Sequence, residues 1–249
     1  MQLSDTSLIS DGNLEAYYKF ESGALTTDSS GDAETLSNVN TVGEGAGRYG
    51  GGASFGAANT DKRFERNSNL GITRTFTMGC WVNPSAAIAS GSWDLVEILN
   101  DTTDNIFELF YDYNSGTKRI RGQSYKVGGG DASVSSTFNV DLGSGGWHHV
   151  AFGCDGTNQY LWYGGALVAG PTTMAASGSN SLDNRINVGA NRVSTGGGYG
   201  DPGPNRFASA IIDEVFVFSR KLTNEEVALL AAGGGAGNAL FFNGGVALG

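Results

Sequence analysis

The chain has 249 residues, a formal net charge of -10 at pH 7 and a sequence pI near 4.6. This acidic balance argues against nucleic acid as a partner, because a negative surface repels phosphate backbones. Forty glycines, with 39% hydrophobic and 10% aromatic residues, exclude general disorder and predict short strands joined by many tight turns. No apolar stretch reaches the length of a membrane span, so membrane insertion is not expected.

Short apolar runs recur along the chain, separated by glycine-rich turn clusters. They predict strands at 14–20, 53–55, 75–82, 93–99, 106–113, 118–127, 147–153, 159–163, 166–169, 185–188 and 207–218. Since no helical periodicity interrupts them, the pattern predicts an all-β domain, a two-sheet antiparallel sandwich.

One short helix is predicted near the C-terminus. Thr223 and Glu226 form a capping box, and Gly233 follows as a stop. The domain is therefore expected over residues 1–232, with a glycine-rich tail at 233–249. Because the tail contains two adjacent phenylalanines, we expect it to dock on this domain or on a partner subunit.

Both histidines of the chain, His148 and His149, are neighbours in a predicted strand. Neighbours in a strand point to opposite faces, so the two cannot share a metal or form a catalytic pair. We expect one to be buried and hydrogen-bonded and the other to face outward. Cys80 and Cys154 lie in apolar runs, which leaves both free thiols and a disulfide open.

The first residues lack the basic start and apolar run of a secretory signal. This predicts either a mature product or a protein that leaves its cell by assembly and lysis, as a virion component would. The expected location is extracellular or on a virion surface.

Several segments, taken in chain order, resemble the laminin-G-like, concanavalin-A-like lectin/glucanase superfamily of jelly rolls. They lie at 14–21, 27–31, 76–84, 147–151, 186–189, 207–215 and 220–226. The resemblance implies a jelly-roll sandwich over roughly residues 12 to 232. It implies less about activity, because this fold hosts many functions.

The resemblance also implies a structural Ca²⁺, held by Asp28 in an Asp-Ser-Ser-Gly turn and by Asp213 in the last long strand. Hard oxygen ligands from a turn and a strand suit this ion. The alternative is that Asp28 binds its own turn backbone and that Asp213 caps or pairs locally.

Laminarinase-type glucanases of this fold place carboxylates on one strand face, which prompts a search for catalytic acids. Asp94 and Glu97 are three residues apart, so a regular strand directs them to opposite faces. Glu108 and Asp112 share a face but are expected to be solvated charges. No nucleophile elbow, phosphate loop or zinc pair is present in the sequence, so no catalytic residue is predicted.

Aromatic residues with polar neighbours are the expected sugar-binding groups. Tyr111 and Tyr113 share a strand face beside a turn, and a glycine-rich loop contains another tyrosine with polar neighbours. The predicted ligand-binding residues are Tyr111, Tyr113, Tyr199, Asp201, Asn205 and Arg206. For Tyr199, packing within the loop is the alternative.

These observations predict a non-enzymatic, surface-displayed recognition or adhesion module whose partner is a glycan or cell-surface polysaccharide. The alternative is a decoration, cement or fibre protein of a phage or another extracellular assembly, with capsid or tail proteins as partners. It rests on the last strand, where Val215 is expected on the face of Asp213 and Phe216 on the other, so that both faces need a cover. A laminarinase-type glycoside hydrolase is the third possibility.

Overall fold

The computed structural model describes residues 2–56, 61–67, 70–84, 91–100, 105–114, 116–126, 130–135, 139–140, 142, 146–175, 184–191 and 206–232. The strands are β1 (Leu14–Tyr18), β2 (Ser37–Val39), β3 (Gly43–Ala46), β4 (Gly51–Ser54), β5 (Arg63–Asn67), β6 (Thr75–Pro84), β7 (Gly91–Asn100), β8 (Asn105–Asn114), β9 (Thr117–Lys126), β10 (Gly130–Ser135), β11 (His148–Asp155), β12 (Asn158–Tyr163), β13 (Ala166–Thr173), β14 (Asn184–Val188) and β15 (Ala210–Phe218). Two 3₁₀ turns, Leu3–Asp5 and Ser7–Ser10, precede them, and the helix α1 (Asn224–Ala231) follows.

The strands form two antiparallel sheets, which confirms the predicted jelly-roll sandwich. Sheet 1 has the order β13-β12-β11-β6-β15-β4-β3, with β1 also paired to β15. Sheet 2 has the order β10-β9-β8-β7-β14-β5-β2. No helix within the described ranges is long and apolar enough to cross a membrane.

The main core lies between the two sheets, where aromatic rings from both meet. Phe76 of β6 contacts Phe107 of β8 with ring centroids 4.9 Å apart, and Phe152 of β11 at 5.9 Å. At Gly122 of β9, an added Cβ would lie 2.1 Å from the Phe152 ring. Glycine is therefore needed there to let the sheets approach each other.

A second apolar cluster covers the outer face of sheet 1. Phe216 and Trp162 of the sheet pack against Leu3 and Leu8 of the N-terminal turns and against Val227 of α1. The outer face of the last strand therefore has the cover that its apolar residues require, and the docking of the tail on this domain or on a partner stays a prediction. The chain's own N-terminal turns and helix provide the cover, whereas residues 233–249 lie outside the described part of the chain.

The last strand also contains a bulge. Its register with β6 shifts between Asp213 and Phe216, and Glu214 has a φ of 53°. Asp213 pairs with Trp81, whose ring contacts the outer-face His149, so the acid faces outward with Phe216. The expectation that Asp213 shares a face with Val215 is wrong, because one extra residue reverses the alternation.

The helix agrees with the prediction from the sequence, whereas the histidines agree with it only in part. Thr223 and Glu226 form the predicted capping box. His148 binds the Tyr163 hydroxyl at 2.7 Å, whereas the buried His149 has no hydrogen-bond partner among the described residues. The buried histidine is therefore not the hydrogen-bonded one, contrary to expectation, and burial lowers its pKa to about 3.

The open question of the two cysteines is answered by their placement in sheet 1. Cys80 and Cys154 are both buried free thiols. Burial raises the pKa of each, so neither has the character of a reactive thiolate.

Candidate functional site

A bulge in β7 brings two acids to the same face of sheet 2. The pairing of β7 with β8 shifts register between Asp94 and Val96. Leu95 and Val96 both lie in the core, so Asp94 and Glu97 both point away from it. The prediction that these two acids occupy opposite faces is therefore wrong, because a bulge inserts one residue into the alternation.

Neighbouring strands add polar side chains to this outer face. Glu97 pairs directly with Glu108 of β8 and with Asn187 of β14, and the Asn187 amide donates a hydrogen bond to Glu97. Glu108 is buried, with only 6% exposed, so the expectation of a solvated charge is also wrong. Asp112 is half-buried and paired with Arg121 at 3.2 Å.

Arg206 joins two of these acids. Its Nη1 donates to Glu108 Oε1 at 2.9 Å, and its Nε lies 3.8 Å from Asp94 Oδ2. The Asn191 Nδ2 donates to the same Glu108 oxygen at 3.3 Å. We define the acidic cluster by the residues that these contacts and the strand pairing connect: Asp94, Glu97, Glu108, Asn187, Asn191 and Arg206.

The guanidinium of Arg206 also packs near an aromatic ring. Its Cζ lies 5.3 Å from the Phe110 centroid, and the Cζ of Arg121 lies 5.2 Å from the same centroid. The Arg206 side chain is 29% exposed, whereas Asp94 is fully buried. Arg206 is thus a fixed, partly exposed donor group above buried acids.

Asp94 and Arg206 of the acidic cluster differ in how their pKa values affect their charge. Burial, and then the neighbouring Glu108, raise the pKa of Asp94 well above its ordinary value, although Arg206 opposes the shift. Burial acts to lower the pKa of Arg206, but the surrounding carboxylates outweigh it and raise the value. Arg206 therefore remains charged, and Asp94 loses its proton only at a pH above the range in which an ordinary aspartate ionises.

Among the predicted ligand-binding residues that the structure describes, Arg206 alone lies beside the acids. Tyr111 is 1% exposed and lies in the core, which corrects its assignment to a binding surface. Tyr113 is half-buried against the core, with Lys118 Nζ 5.5 Å from its ring. Tyr199, Asp201 and Asn205 lie outside the described residues.

The sequence itself indicates that the two strand tyrosines face the core. Since Glu108 and Asp112 share the outer face, the odd-numbered Tyr111 and Tyr113 must face the core. Asn187 and Asn191, which the sequence analysis missed, carry no comparable signal, because their role depends on partners distant in the chain.

Two members of the acidic cluster meet at one carboxylate oxygen. Asn191 and Arg206 both donate to Glu108 Oε1. In the sequence, the predicted residues Tyr199, Asp201 and Asn205 lie between these two donors, outside the described residues.

The two acids predicted to hold Ca²⁺ accept hydrogen bonds from backbone N–H groups. Asp28 accepts hydrogen bonds from the N–H groups of Tyr17, Ser30 and Glu34 and from the Ser30 hydroxyl. Four donors use the approximately four acceptor positions of a carboxylate. Asp28 in this arrangement does not fit a calcium ligand, since an ion needs free lone pairs.

Asp213 is placed similarly and accepts N–H groups from Tyr49 at 3.1 Å and Glu214 at 2.8 Å. No group of three or more His, Cys, Asp or Glu side chains within the described ranges could hold a metal ion. The geometry follows the alternative of local backbone pairing, and calcium stays a prediction for titration to test.

Comparison with known proteins agrees with the fold. Residues 55–228 match the family model described as the Concanavalin A-like lectin/glucanases superfamily (Laminin_G_3). No curated protein matches the sequence significantly.

Solved structures with this fold include several binding domains. Domain 4 of a GH43 extracellular arabinanase from Geobacillus stearothermophilus, in complex with arabinotriose, matches with a TM-score of 0.66 and 17% identity, covering 88% of this chain and 98% of that one. The binding domain of Paraclostridial Mosquitocidal Protein 1 matches with a TM-score of 0.64 and 16% identity, covering 90% and 52%. A structure of botulinum neurotoxin type C, whose cell entry is described as dependent on interaction with two ganglioside molecules, matches with a TM-score of 0.65 and 11% identity, covering 87% and 50%.

At these identities the solved structures show a shared fold alone, and the match covers about half the length of each of the two solved toxin chains. The family match covers most of the chain and agrees with both sheets. The chain belongs to the concanavalin A-like lectin/glucanases superfamily.

Proposed function

We propose that this chain is a non-catalytic carbohydrate-binding module whose ligand lies on the outer face of sheet 2, beside Arg206. The observation that carries the proposal is the partly exposed Arg206 guanidinium, held above Phe110 by Glu108 and Asp94. A donor group fixed in advance loses little side-chain entropy on binding, which suits the weak, polar recognition of sugar hydroxyls.

Relatives of the fold support a glycan as the ligand class. The arabinanase domain was solved in complex with arabinotriose, and botulinum neurotoxin type C interacts with gangliosides during cell entry. The arabinanase is also described as extracellular, which supports an extracellular location for this chain.

The segment 192–205 supplies the remaining proposed contacts. Tyr199, Asp201 and Asn205 lie outside the described residues, and they remain proposed contacts because they lie in the sequence between Asn191 and Arg206, which both donate to Glu108. Tyr199 would offer an aromatic face to a sugar ring.

We do not assign a catalytic step to the acids that converge here. Glycoside cleavage needs an acid and a carboxylate, about 5 to 9.5 Å apart, on either side of an accessible bond. Glu108 is paired with Arg206 and accepts from Asn191, and Glu97 accepts from Asn187, so both glutamates are already engaged within the protein.

A role in a virion or another assembly has lost the observation that favoured it, since the chain's own N-terminal turns and helix cover the outer face of sheet 1. Sedimentation of the purified protein tests this alternative, because a cement or fibre protein is expected to associate.

The proposal is tested on a glycan array, followed by calorimetry with the best glycan. Arg206→Ala and Arg206→Lys should both abolish retention, since lysine keeps the charge but loses the planar fork. The matched control is Arg48→Ala, because Arg48 also lies over an aromatic ring, 4.8 Å from the Trp81 centroid, but on the other sheet.

Melting temperatures of all variants separate binding from folding. Wild-type protein that retains no glycan, or an Arg206 variant that binds as well as wild type, contradicts the proposed site. Release of reducing sugar from a bound polysaccharide would restore the glycoside hydrolase alternative.

A further inference from the structure

The acidic cluster contains buried oxygen atoms that nothing in the described structure satisfies. Both carboxyl oxygens of Asp94 and the side-chain carbonyl oxygens of Asn187 and Asn191 have no hydrogen-bond partner among the described residues. Asp94 and Asn187 are 0% exposed and Asn191 is 2% exposed. Because most buried polar atoms in proteins are paired, four unpaired oxygen atoms in one cluster need an explanation.

The orientation of the two amides follows from their donors. The Nδ2 of Asn187 donates to Glu97 and the Nδ2 of Asn191 donates to Glu108. Turning either amide over would bring a carbonyl oxygen against a carboxylate and lose a hydrogen bond. The unpaired carbonyls are therefore a consequence of the network.

A partner for this cluster must donate hydrogen bonds without adding negative charge. The cluster has three carboxyl groups and one guanidinium, so an anionic ligand would meet repulsion. A metal ion is a poor fit, because Arg206 already lies beside Asp94 and the described residues contain no group of metal-ligand side chains that could hold an ion.

Hydroxyl groups meet these requirements. Each hydroxyl donates one hydrogen bond, and two hydroxyls on neighbouring carbons can donate to the two oxygens of one carboxylate. Arg206 can donate in return to a hydroxyl or ring oxygen, since its Nη2 makes no hydrogen bond with the described residues.

Resting on the proposed function, we infer that the acidic cluster is the specificity pocket of the carbohydrate site and takes two neighbouring hydroxyl groups of a neutral sugar. Asp94 accepts both hydroxyls, and the carbonyls of Asn187 and Asn191 accept from the groups beside them. Arg206, the partly exposed member, marks the side from which the sugar reaches the pocket. Sialylated and uronic-acid glycans are excluded from this pocket.

The test compares neutral and anionic probes by calorimetry on the full chain. The neutral probes are arabinotriose, laminaritriose, cellotriose and mannotriose, and the anionic probes are sialyllactose and trigalacturonic acid. At a pH at which Asp94 is ionised, Asp94→Asn should weaken the best neutral probe about tenfold or more, because an amide offers one acceptor where the carboxylate offers two. Asp32→Asn, at an exposed turn, is the control for loss of one negative charge and should leave affinity unchanged.

A second measurement keeps the inference falsifiable if Asp94→Asn does not fold. Deoxy analogues of the best neutral sugar should lose affinity on wild-type protein at two adjacent hydroxyls. In a folded Asp94→Asn variant, removing the same hydroxyls should lower the affinity much less, because the carboxylate that accepted their hydrogen bonds is already absent.

The outcomes separate this inference from the proposed function. If no probe and no array glycan binds, the proposed function fails. If a glycan binds through Arg206 but Asp94→Asn binds equally, or the anionic probes bind best, or no adjacent pair of hydroxyls matters, the specificity pocket is overturned and the carbohydrate site stands.

Discussion

Arg206 donates a hydrogen bond to Oε1 of Glu108 at 2.9 Å, across 98 residues of sequence. The Asn191 amide shares this oxygen, so one buried carboxylate holds both the Asn191 amide and the Arg206 guanidinium. The ion pair is not an exposed surface bridge, because Glu108 is buried in the sheet face. Removing one partner of such a pair leaves the other uncompensated.

The first prediction concerns this carboxylate. Glu108→Gln should weaken glycan binding about tenfold, because Arg206 loses its charged anchor. It should also lower the pKa of Asp94, since the charge of Glu108 is a cause of that raised value, second to burial. Carbon-detected NMR titration of the Asp94 carboxyl checks this. An unchanged Asp94 titration in Glu108→Gln would contradict the coupling, and Glu225→Gln on the exposed face of α1 is the control.

The two bulges show how far the structure can be predicted from the sequence. Alternation along the strands predicted both sheets, and the cap at Thr223 predicted the helix. The same alternation wrongly separated Asp94 from Glu97 and wrongly joined Asp213 to Val215, because each aspartate adjoins a register shift that one inserted residue creates. No local signal marks such an insertion, since the bulge is fixed by pairing with strands distant in the chain.

The second prediction tests the role of Asp28. Asp28→Ala removes an acceptor of four hydrogen bonds in the turn after β1 and should destabilise the fold by about 2 to 4 kcal/mol. Because N–H donors occupy the carboxylate, the loss should be the same with calcium as with chelator. Urea denaturation under both conditions measures it. Calcium-dependent stability in the wild type that Asp28→Ala abolishes would instead support the structural ion.

The third prediction concerns Asp213 and Glu214, the two acids at the bulge of β15 in sheet 1. Burial raises the pKa of each carboxyl to about 7. A raised pKa means that the folded state favours the protonated acid. The contribution of the two acids to the unfolding free energy is fully present at a pH below the ordinary pKa of a carboxyl group. It is lost as the pH rises through about 7.

Between pH 5 and 8 the contribution of these two acids to the unfolding free energy should therefore fall by roughly 2 kcal/mol. The lowered pKa of the buried His149 acts on the wild-type profile in the opposite direction, so the contribution is measured as the difference between wild type and the double variant Asp213→Asn/Glu214→Gln. Denaturant titrations of both proteins at several pH values provide the measurement. A difference that is flat or rises over this range would contradict the raised pKa of the two acids.

The fourth prediction tests the packing between the sheets. Gly122→Ala should destabilise the protein by about 1 to 3 kcal/mol, because the new Cβ overlaps the Phe152 ring. Gly12→Ala is the matched control, since nothing lies within 4 Å of its added Cβ. Adding Phe152→Leu should recover part of the loss. Equal melting temperatures for Gly122→Ala and Gly12→Ala would mean that the sheets separate easily at this point.

The last prediction links the acidic cluster to the pH dependence of binding. Burial and the charge of Glu108 disfavour the ionisation of Asp94, whereas Arg206 favours it; burial and Glu108 prevail and raise the pKa of Asp94. Glu97 shares the outer face with these groups. A sugar that donates two hydroxyls binds the ionised carboxylate best, so affinity should rise with pH as Asp94 loses its proton. Asp94→Asn should remove this dependence, and calorimetry across the pH range measures it. A wild-type affinity that falls with pH would mean that the protonated acid donates to the sugar, which reverses the direction of hydrogen bonding in the pocket.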